Sequence, residues 1–343
     1  MSIIHRFEND YSEGACPEII EALTKTNLMQ SAPYGTDEHC RKAAELIRKE
    51  IGKDADIHFL VGGTQTNMTV IAAALRVHEC VVAAGTAHIA CHETGAIEST
   101  GHKVLTVPSE NGKLSAEEVR RTWERHENDG NREHIAKPKL VYISHPTEIG
   151  TLYTKKELED LYAVCRECGL YLFLDGARLG YGLTAGDTDL TMKDIAANTD
   201  VFYIGGTKCG ALFGEAVVIG NKEIERDFRY VIKQHGGMLA KGWLLGIQFE
   251  TLFTDGLYYK ICRRANNLAM IIKKALLDKG YELYMDTSAN QTFVIMTEQR
   301  YKELSEYFVL SYTEPLPDDK CIVRICTSWT TPDEAVNALI SAL

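Results

Sequence analysis

The 343-residue sequence has no excess of positive charge. It holds 37 Lys and Arg residues against 48 Asp and Glu residues, which gives a formal net charge of −11. Binding to nucleic acid depends on clusters of Lys and Arg that neutralise phosphates, so we expect no nucleic-acid partner. An anionic small molecule remains compatible with this composition, because a local pocket can differ in sign from the whole chain.

Long apolar runs and a disulfide framework are also missing. No apolar run approaches the ~20 residues that cross a bilayer, and the opening MSIIHRFENDYSEG has no export-signal pattern. The ten cysteines are scattered along the chain. We therefore expect a cytoplasmic protein with reduced thiols and no membrane association. Cys165 and Cys168 form a CxxC pair, but no second pair follows at metal spacing, so two cysteines on a helix is the favoured interpretation and we predict no metal site.

Short apolar runs alternate with helical patterns through the first two thirds of the chain. Seven runs are typical of strands buried on both faces of a parallel sheet: 57–61, 79–83, 103–107, 139–144, 170–174, 201–206 and 215–220. Between them, Ser115 with Glu118 and Thr154 with Glu157 fit capping boxes at helix starts. The pattern predicts an α/β domain with a mostly parallel, seven-stranded sheet, which we place in residues 1–235.

The pattern changes from residue 236 onwards. A long helical stretch at 239–278 follows, with Asp255-Gly256 as a candidate interruption. Strand candidates at 292–296 and 321–326 precede a last helix, for which Thr331 is the expected N-cap. These features predict a smaller α+β domain in residues 236–343.

Three segments at strand ends hold residues suited to a ligand, at the edge where open α/β sheets bind ligands. GGTQTN (62–67) offers glycines and helix-start N–H groups, which favour a phosphate, although it matches neither GxGxxG nor a P-loop. Asp175 needs a cation or a hydrogen-bond donor, and an ion pair with Arg178 is the simple alternative to a ligand. Lys208 lies between glycines, where desolvation would leave its amine nucleophilic, although a lone loop lysine is more commonly a surface charge.

Taken in order, GGTQTN, AHIACHETG (87–95), DGARLG and GGTKCG resemble the threonine aldolase branch of the fold-type-I, aspartate-aminotransferase-like enzymes, which use pyridoxal 5'-phosphate (PLP). The opening segment (7–37), SHPTEIGTLY (144–153) and VRICTSWTTPDE (323–334) extend the similarity nearly end to end. GGTK followed by GEAVV, and CTSW near the end, look closer to phenylserine-aldolase-like members. The resemblance implies the aspartate-aminotransferase-like fold with PLP as cofactor.

The resemblance also implies roles for individual residues. Lys208 would hold the cofactor covalently, Asp175 would bond the pyridine nitrogen, and His88 would stack on the ring and handle protons near the substrate hydroxyl. The residues that would surround the phosphate are Gly63, Thr64, Gln65 and Thr207, with Arg178 nearby. The substrate contacts implied are Arg178 and Arg324 to the carboxylate, Tyr34 from a neighbouring subunit, and His92 as a second candidate for the proton.

One position departs from the family pattern. Members usually carry an arginine after the glycine run, where this sequence reads HGGMLAK (235–241). Leu239 stands in the expected place, so the phosphate contact across the dimer is missing or comes from Lys241. Because the family builds its sites at a subunit interface, the resemblance implies a homodimer or a homotetramer.

The expected reaction is retro-aldol cleavage of L-threonine, L-allo-threonine or a related β-hydroxy-α-amino acid to glycine and an aldehyde. Three alternatives remain open: phenylserine cleavage, another PLP reaction such as β-elimination or transamination, and a PLP-carrying regulatory protein without turnover. The preferred side chain does not follow from the sequence, because apolar pockets separate methylene-sized differences by only ~1–3 kcal/mol. The configuration at Cβ does not follow either, and the L configuration at Cα is expected from the resemblance alone.

Overall fold

The computed structural model describes residues 5–343. In this range the strands are β1 (His5–Arg6), β2 (Asp56–Leu60), β3 (Glu79–Ala84), β4 (Lys103–Val107), β5 (Lys137–Ser144), β6 (Tyr171–Asp175), β7 (Val201–Gly205), β8 (Glu215–Ile219), β9 (Glu282–Met285), β10 (Gln291–Thr297), β11 (Phe308–Val309), β12 (Ser311–Leu316) and β13 (Lys320–Cys326). The helices are α1 (Pro17–Thr26), α2 (Glu38–Ile51), α3 (Gly63–Ala74), α4 (His88–Cys91), α5 (Ala96–Ser99), α6 (Ala116–Glu127), α7 (Lys155–Glu167), α8 (Leu179–Gly182), α9 (Met192–Ala197), α10 (Lys222–Glu225), α11 (Phe228–Gln234), α12 (Trp243–Phe253), α13 (Leu257–Asp278), α14 (Glu298–Ser305) and α15 (Asp333–Ala342).

The large sheet contains all seven predicted strands, in the order β2-β8-β7-β6-β5-β3-β4. Neighbours from β7 to β4 run parallel, whereas β8 runs antiparallel to both β2 and β7. Every residue of β3, β6, β7 and β8 is buried, which explains their continuous apolar sequences. Helices pack on both faces, so that Leu172 belongs to one core and its neighbour Phe173 to the other.

The direction of β8 places its first residue at the ligand edge of the sheet. Leu60, the last residue of β2, and Gly205, the last residue of β7, both pair with Glu215. Because β8 is antiparallel to these neighbours, its beginning lies beside their carboxyl ends. The Glu215 carboxyl group therefore lies at the same edge of the sheet as the residues that follow the parallel strands.

The helix starts follow the predicted capping chemistry, with one correction. Ser115 with Glu118 and Thr154 with Glu157 form complete capping boxes, which confirms both predictions. The last helix instead takes Pro332 as its N-cap. Thr331 is not the cap, because its hydroxyl accepts a hydrogen bond from the Ser328 backbone N–H in the preceding turn.

The C-terminal part forms a second, antiparallel sheet in the order β12-β13-β10-β9. The predicted helical stretch is divided into α12 and α13, and Gly256 is the left-handed N-cap of α13. Near the other end of the chain, β1 pairs with β11 and Phe7 packs in the core of this unit. The division of the chain at residues 235 and 236 remains a prediction. None of the helices described between residues 5 and 343 is long and apolar enough to span a membrane.

Candidate active site

Residues from six strand ends surround one cavity of about 280 Å³ at the ligand edge of the large sheet. Its lining is Tyr11, Val61, Gly62, Gly63, Thr64, His88, Ser144, Pro146, Thr147, Glu148, Asp175, Ala177, Arg178, Tyr203, Thr207, Lys208 and Glu215. The structure thus brings together seven of the residues predicted from the sequence: Gly63, Thr64, His88, Asp175, Arg178, Thr207 and Lys208. Gln65, His92, Arg324, Tyr34 and Lys241 do not line this cavity.

Lys208 follows β7 and lines the cavity without a fixed partner. Within residues 5–343 its amine makes no ion pair or hydrogen bond, and Nζ lies 5.9 Å from the centroid of the Tyr11 ring. The Tyr181 hydroxyl donates to the Lys208 carbonyl at 2.6 Å and so fixes the backbone. Burial and the nearby Arg178 guanidinium lower the pKa of Lys208. The side chain is therefore free to react, and its surroundings ease the loss of a proton from its ammonium group.

Asp175 ends β6 in a shell of four donors. The Tyr142 and Tyr203 hydroxyls each donate to one carboxylate oxygen, and the Ala177 N–H donates at 2.9 Å. Asn67 adds a longer contact of 3.3 Å. Burial, followed by the Asp175 charge, raises the pKa of both tyrosines, so both stay protonated and donate. These donors stabilise an ionised carboxylate in a buried position.

His88 is held by a buried carboxylate. Its Nδ1 lies 2.7 Å from Glu93 Oε1, and the Glu93 side chain is fully buried. Asn67 donates to the same Glu93 oxygen at 2.7 Å and thereby links the His88 pair to Asp175. A carboxylate at Nδ1 fixes the tautomer with the proton on that nitrogen, which leaves Nε2 as an acceptor.

The carboxyl group of Glu148, which is partly buried, lies beside His88 and lines the cavity. Its Oε1 accepts from the His88 backbone N–H at 2.9 Å and from the Ser144 hydroxyl at 2.6 Å. Burial raises the pKa of Glu148, and the Asp175 charge adds to this effect. The segment around His88 is thereby tied to the end of β5.

The opposite end of the cavity offers backbone donors. The N-terminus of α3, at Gly62 and Gly63, has no side-chain cap, so its first N–H groups are available to an anion. Thr207 lies here, and its hydroxyl is 2.9 Å from Glu215 Oε1. The Gln65 side chain is used elsewhere: it accepts from the Val61 N–H and donates to the His235 carbonyl. Gln65 does not line the cavity, so a contact with an anion there would fall to its backbone N–H.

Arg178 lines the cavity but is paired within the chain. Its Nε and Nη2 donate to the two oxygens of Asp10 at 2.7 and 2.9 Å. Burial opposes ionisation of Asp10, but the Arg178 and Lys208 charges together with the hydrogen bonds from Arg178 and Asn290 outweigh burial and lower the pKa of the carboxyl group. Asn290, beyond β9, also donates to Asp10 at 2.9 Å, so this ion pair connects the two sheets. The predicted alternative, an ion pair between Asp175 and Arg178, is wrong, because Arg178 pairs with Asp10 instead.

Arg324 and His92 lie near His88 but outside the cavity lining. The His92 ring centroid is 5.6 Å from that of His88. Burial, with the His88 and Arg324 charges, lowers the pKa of His92. Arg324 Nη2 donates to the Glu8 carbonyl at 2.9 Å, while its buried Nε has no partner within residues 5–343.

Tyr34, Leu239 and Lys241 belong to a different part of the surface. Tyr34 and Leu239 line a separate small cavity with Arg229, which donates to the Tyr34 carbonyl at 3.1 Å. Lys241 is exposed next to it. Within one chain these residues do not reach the Lys208 cavity.

A family model described as beta-eliminating lyase matches residues 8–300. This chain belongs to the beta-eliminating lyase family. Among curated relatives, it is 33% identical over 340 residues to the low specificity L-threonine aldolase of Pseudomonas sp. (strain NCIMB 10558), covering 97% of this chain and 95% of the relative. The Escherichia coli (strain K12) low specificity L-threonine aldolase is 26% identical over 321 residues, covering 87% and 88%.

Solved structures show the same likeness. A threonine aldolase of Leishmania major has a TM-score of 0.95 and 48% identity to this chain, covering 98% of each chain. An aspartate aminotransferase of Thermus thermophilus has a TM-score of 0.74 at 16% identity, covering 99% of this chain and 91% of that one. The second comparison shows the fold alone and confirms the predicted aspartate-aminotransferase-like architecture.

Several site residues of this lyase were not found from the sequence. These residues are Asp10, Glu148 and Glu215, and Asp10 is separated by 168 residues of sequence from its partner Arg178. Glu93 had a local signal, since it lies five residues after His88 within AHIACHETG. Within residues 5–343, no group of three or more His, Cys, Asp or Glu side chains is arranged to hold a metal ion. Cys165 is buried in α7 and Cys168 is the residue that ends it.

Proposed function

We propose that this protein is a PLP-dependent carbon–carbon lyase that cleaves L-threonine, L-allo-threonine or a related β-hydroxy-α-amino acid to glycine and an aldehyde. The observation that carries the proposal is the position of Lys208 and Asp175 on one cavity wall, at the carboxyl ends of adjacent strands. Family membership and the names of the relatives support the same chemistry.

The donor set of the cavity fits PLP. The amine of Lys208 has no partner within residues 5–343 and would bond the cofactor aldehyde. The uncapped start of α3, with Thr64 and Thr207, would hold the phosphate. Asp175 would accept from the ring nitrogen, and the Asn67 contact of 3.3 Å is the weak bond that this interaction can replace. When bound, the cofactor supplies an electron sink that allows a bond at the substrate Cα to break.

His88 is the proposed base for the β-hydroxyl proton. Because Glu93 occupies Nδ1, Nε2 is the nitrogen left to accept that proton. Proton uptake makes the imidazole cationic, and the Glu93 carboxylate stabilises that charge. His92 is an alternative base, but it lies outside the cavity lining and has no carboxylate at hydrogen-bond distance within the described residues.

Arg324 and Arg178 are the proposed contacts to the substrate carboxylate. Arg178 has already used two N–H groups on Asp10, and a guanidinium carries five. Arg324 has a buried Nε without a partner within residues 5–343, which favours it as the main contact. Asp10 would then set the orientation of Arg178 rather than bind substrate.

A homodimer or homotetramer is part of the proposal, in which Tyr34 and Lys241 would serve the cavity of a neighbouring subunit. Tyr34 is 42% exposed, and the Lys233 ammonium lies 5.2 Å from its ring centroid. The backbone of Tyr34 has φ of 62°, a conformation that is uncommon outside glycine. We also propose a cytoplasmic location, with which the ten unpaired cysteines are consistent.

The test is an absorbance spectrum of the purified protein with PLP, followed by aldehyde release from L-threonine, L-allo-threonine and phenylserine. We expect a visible band of the lysine-bound cofactor and an aldehyde product, with both lost in Lys208→Ala. The substrate that gives the highest kcat/KM identifies the preferred side chain.

Other outcomes separate the alternatives. A visible band with an oxo-acid product instead of an aldehyde would move the reaction to β-elimination or transamination. A band without any turnover would favour a regulatory protein. The absence of a band at any PLP concentration would contradict the cofactor itself.

A further inference from the structure

Glu215 is a buried carboxyl group with too few hydrogen-bond partners for an ionised group. The residue is 3% exposed and lines the cavity next to Thr207. Oε1 lies 2.9 Å from the Thr207 hydroxyl, while Oε2 has no partner within residues 5–343. A buried carboxylate oxygen without a donor is costly, whereas the carbonyl oxygen of a neutral acid is much less so.

The charged groups around Glu215 have opposing effects on the protonation of its carboxyl group. Lys208 lies on the loop after β7 and opposes protonation, whereas Asp175 at the end of β6 favours it. Tyr203 on β7 is the other titratable neighbour, and burial keeps that phenol protonated. Burial outweighs the Lys208 charge and raises the pKa of Glu215 to about 8. A phosphate at the start of α3 would add negative charge to the same end of the cavity and favour the proton further.

The hydrogen bonds of Thr207 point to the same state. Its hydroxyl oxygen accepts from the Gly214 backbone N–H at 2.9 Å. A hydroxyl has one proton and two acceptor positions, so the contact with Glu215 must use either that proton or the remaining lone pair. If Glu215 is ionised, Thr207 gives it the proton and has none left for a phosphate. If Glu215 is protonated, it donates to Thr207, whose own proton is then available.

We propose that Glu215 is protonated when a phosphate occupies this end of the cavity, and that it donates to Thr207 so that Thr207 donates to the phosphate. The inference rests on the proposed use of PLP. Above pH 8 the carboxyl group has to take up one proton from solvent when the phosphate binds. Above this pH the affinity for the cofactor therefore falls as pH rises, because protonation of Glu215 becomes harder.

Pyridoxamine 5'-phosphate tests this directly, because it carries the phosphate but no aldehyde to bond Lys208. Its affinity for cofactor-free protein is measured by isothermal titration calorimetry from pH 7.5 to 9.5, for the wild type and for Glu215→Gln. The Gln amide is neutral at every pH and can donate to Thr207. We expect log Kd of the wild type to rise with pH by about one more unit per pH unit than that of Glu215→Gln. Titrations in two buffers of different ionisation enthalpy should show about one additional proton taken up by the wild type at pH 9.

Glu98→Gln is the control, since it makes the same change on an exposed side chain outside the cavity and should keep the wild-type slope. Equal slopes for the wild type and Glu215→Gln would overturn the inference and leave the proposed function standing. If Glu215→Gln does not fold, absence of proton uptake by the wild-type protein at pH 9 overturns it without a variant. Failure of pyridoxamine 5'-phosphate to bind at any pH would instead contradict the proposed cofactor site.

Discussion

The two ends of the cavity each contain one buried carboxyl group, and their surroundings differ sharply. Asp175 is 5% exposed and Glu215 is 3% exposed, so burial alone does not distinguish them. Asp175 receives hydrogen bonds from two tyrosine hydroxyls, a backbone N–H and an amide. Glu215 has one hydroxyl neighbour and an oxygen without a partner within residues 5–343.

The number of hydrogen-bond donors, rather than the depth of burial, decides the charge of these two buried acids. Four donors can replace the hydration that an ionised carboxylate loses on burial, whereas one hydroxyl cannot. The Asp175 end therefore offers a carboxyl group surrounded by hydrogen-bond donors, which suits a protonated ring nitrogen. The Glu215 end is built for a neutral acid, which suits a neighbouring phosphate. Replacement of each acid by its amide, in Asp175→Asn and Glu215→Gln, should therefore have different effects at the two ends.

Asp175→Asn should cause the largest change. The amide keeps the shape of the side chain but removes the negative charge, and its NH₂ group faces donors that had pointed at an oxygen. We expect kcat to fall about a thousandfold, which corresponds to ~4 kcal/mol of transition-state stabilisation. Steady-state assays with L-threonine at saturating PLP measure this effect. Asp175→Glu keeps the charge and should retain more activity; equal losses in the two variants would show that the charge is not the essential property.

Glu215→Gln should change the pH dependence of stability in the cofactor-free protein. The folded-state pKa of Glu215 is about 8 against a usual value of 4.5. Between these values the unfolded chain loses the proton and the folded protein keeps it, so this group makes stability fall as pH rises from 4.5 to 8 and has no further effect above 8.

The variant lacks this loss. At ~1.36 kcal/mol per pH unit, it should be more stable than the wild type by roughly 3 kcal/mol at pH 7 and by almost nothing near pH 4. Urea unfolding at a series of pH values provides the measurement. A difference that does not vary with pH would show that Glu215 is already ionised in the free protein.

The sequence predicted the strands well and their directions incompletely. Strands buried on both faces read as continuous apolar runs, which is why all seven were found. Such a run has the same composition in either direction, so the antiparallel orientation of β8 could not be inferred. Glu215 was missed for this reason: at the start of a parallel strand it would lie at the opposite edge of the sheet, far from Lys208.

The site was predictable where one residue carries a distinctive chemistry next to a strand end. Lys208, Asp175 and His88 meet this condition and lie on one cavity. Residues that contact the site from distant parts of the chain have no recognisable motif near them in the sequence. Asp10 binds Arg178 across 168 residues of sequence, and a sequence without related sequences beside it gives no signal for such a pair.

Glu93→Gln makes the same exchange at the buried carboxyl group that contacts His88. The amide can still contact His88, but it no longer enforces one tautomer or stabilises a cationic imidazole. We expect kcat to fall about tenfold with a smaller change in KM, because Glu93 acts through His88 and not on the substrate. Glu98→Gln, on an exposed side chain of the neighbouring helix α5, is the matched control and should behave like the wild type. A KM effect larger than the kcat effect would contradict the positioning role.

Tyr142→Phe removes one of the four hydrogen-bond donors to Asp175 and should have the smallest effect. A hydrogen bond to a buried charged group contributes ~1.5–3 kcal/mol, so we expect the free energy of unfolding to fall by about 2 kcal/mol. Tyr171→Phe is the matched control, because its hydroxyl donates to the exposed carboxylate of Glu223, where water can replace it. That variant should lose less than ~0.5 kcal/mol. Equal losses of stability for the two tyrosine variants in urea unfolding would mean that water reaches Asp175 as readily as it reaches Glu223. The number of protein donors would then no longer explain the different states of Asp175 and Glu215.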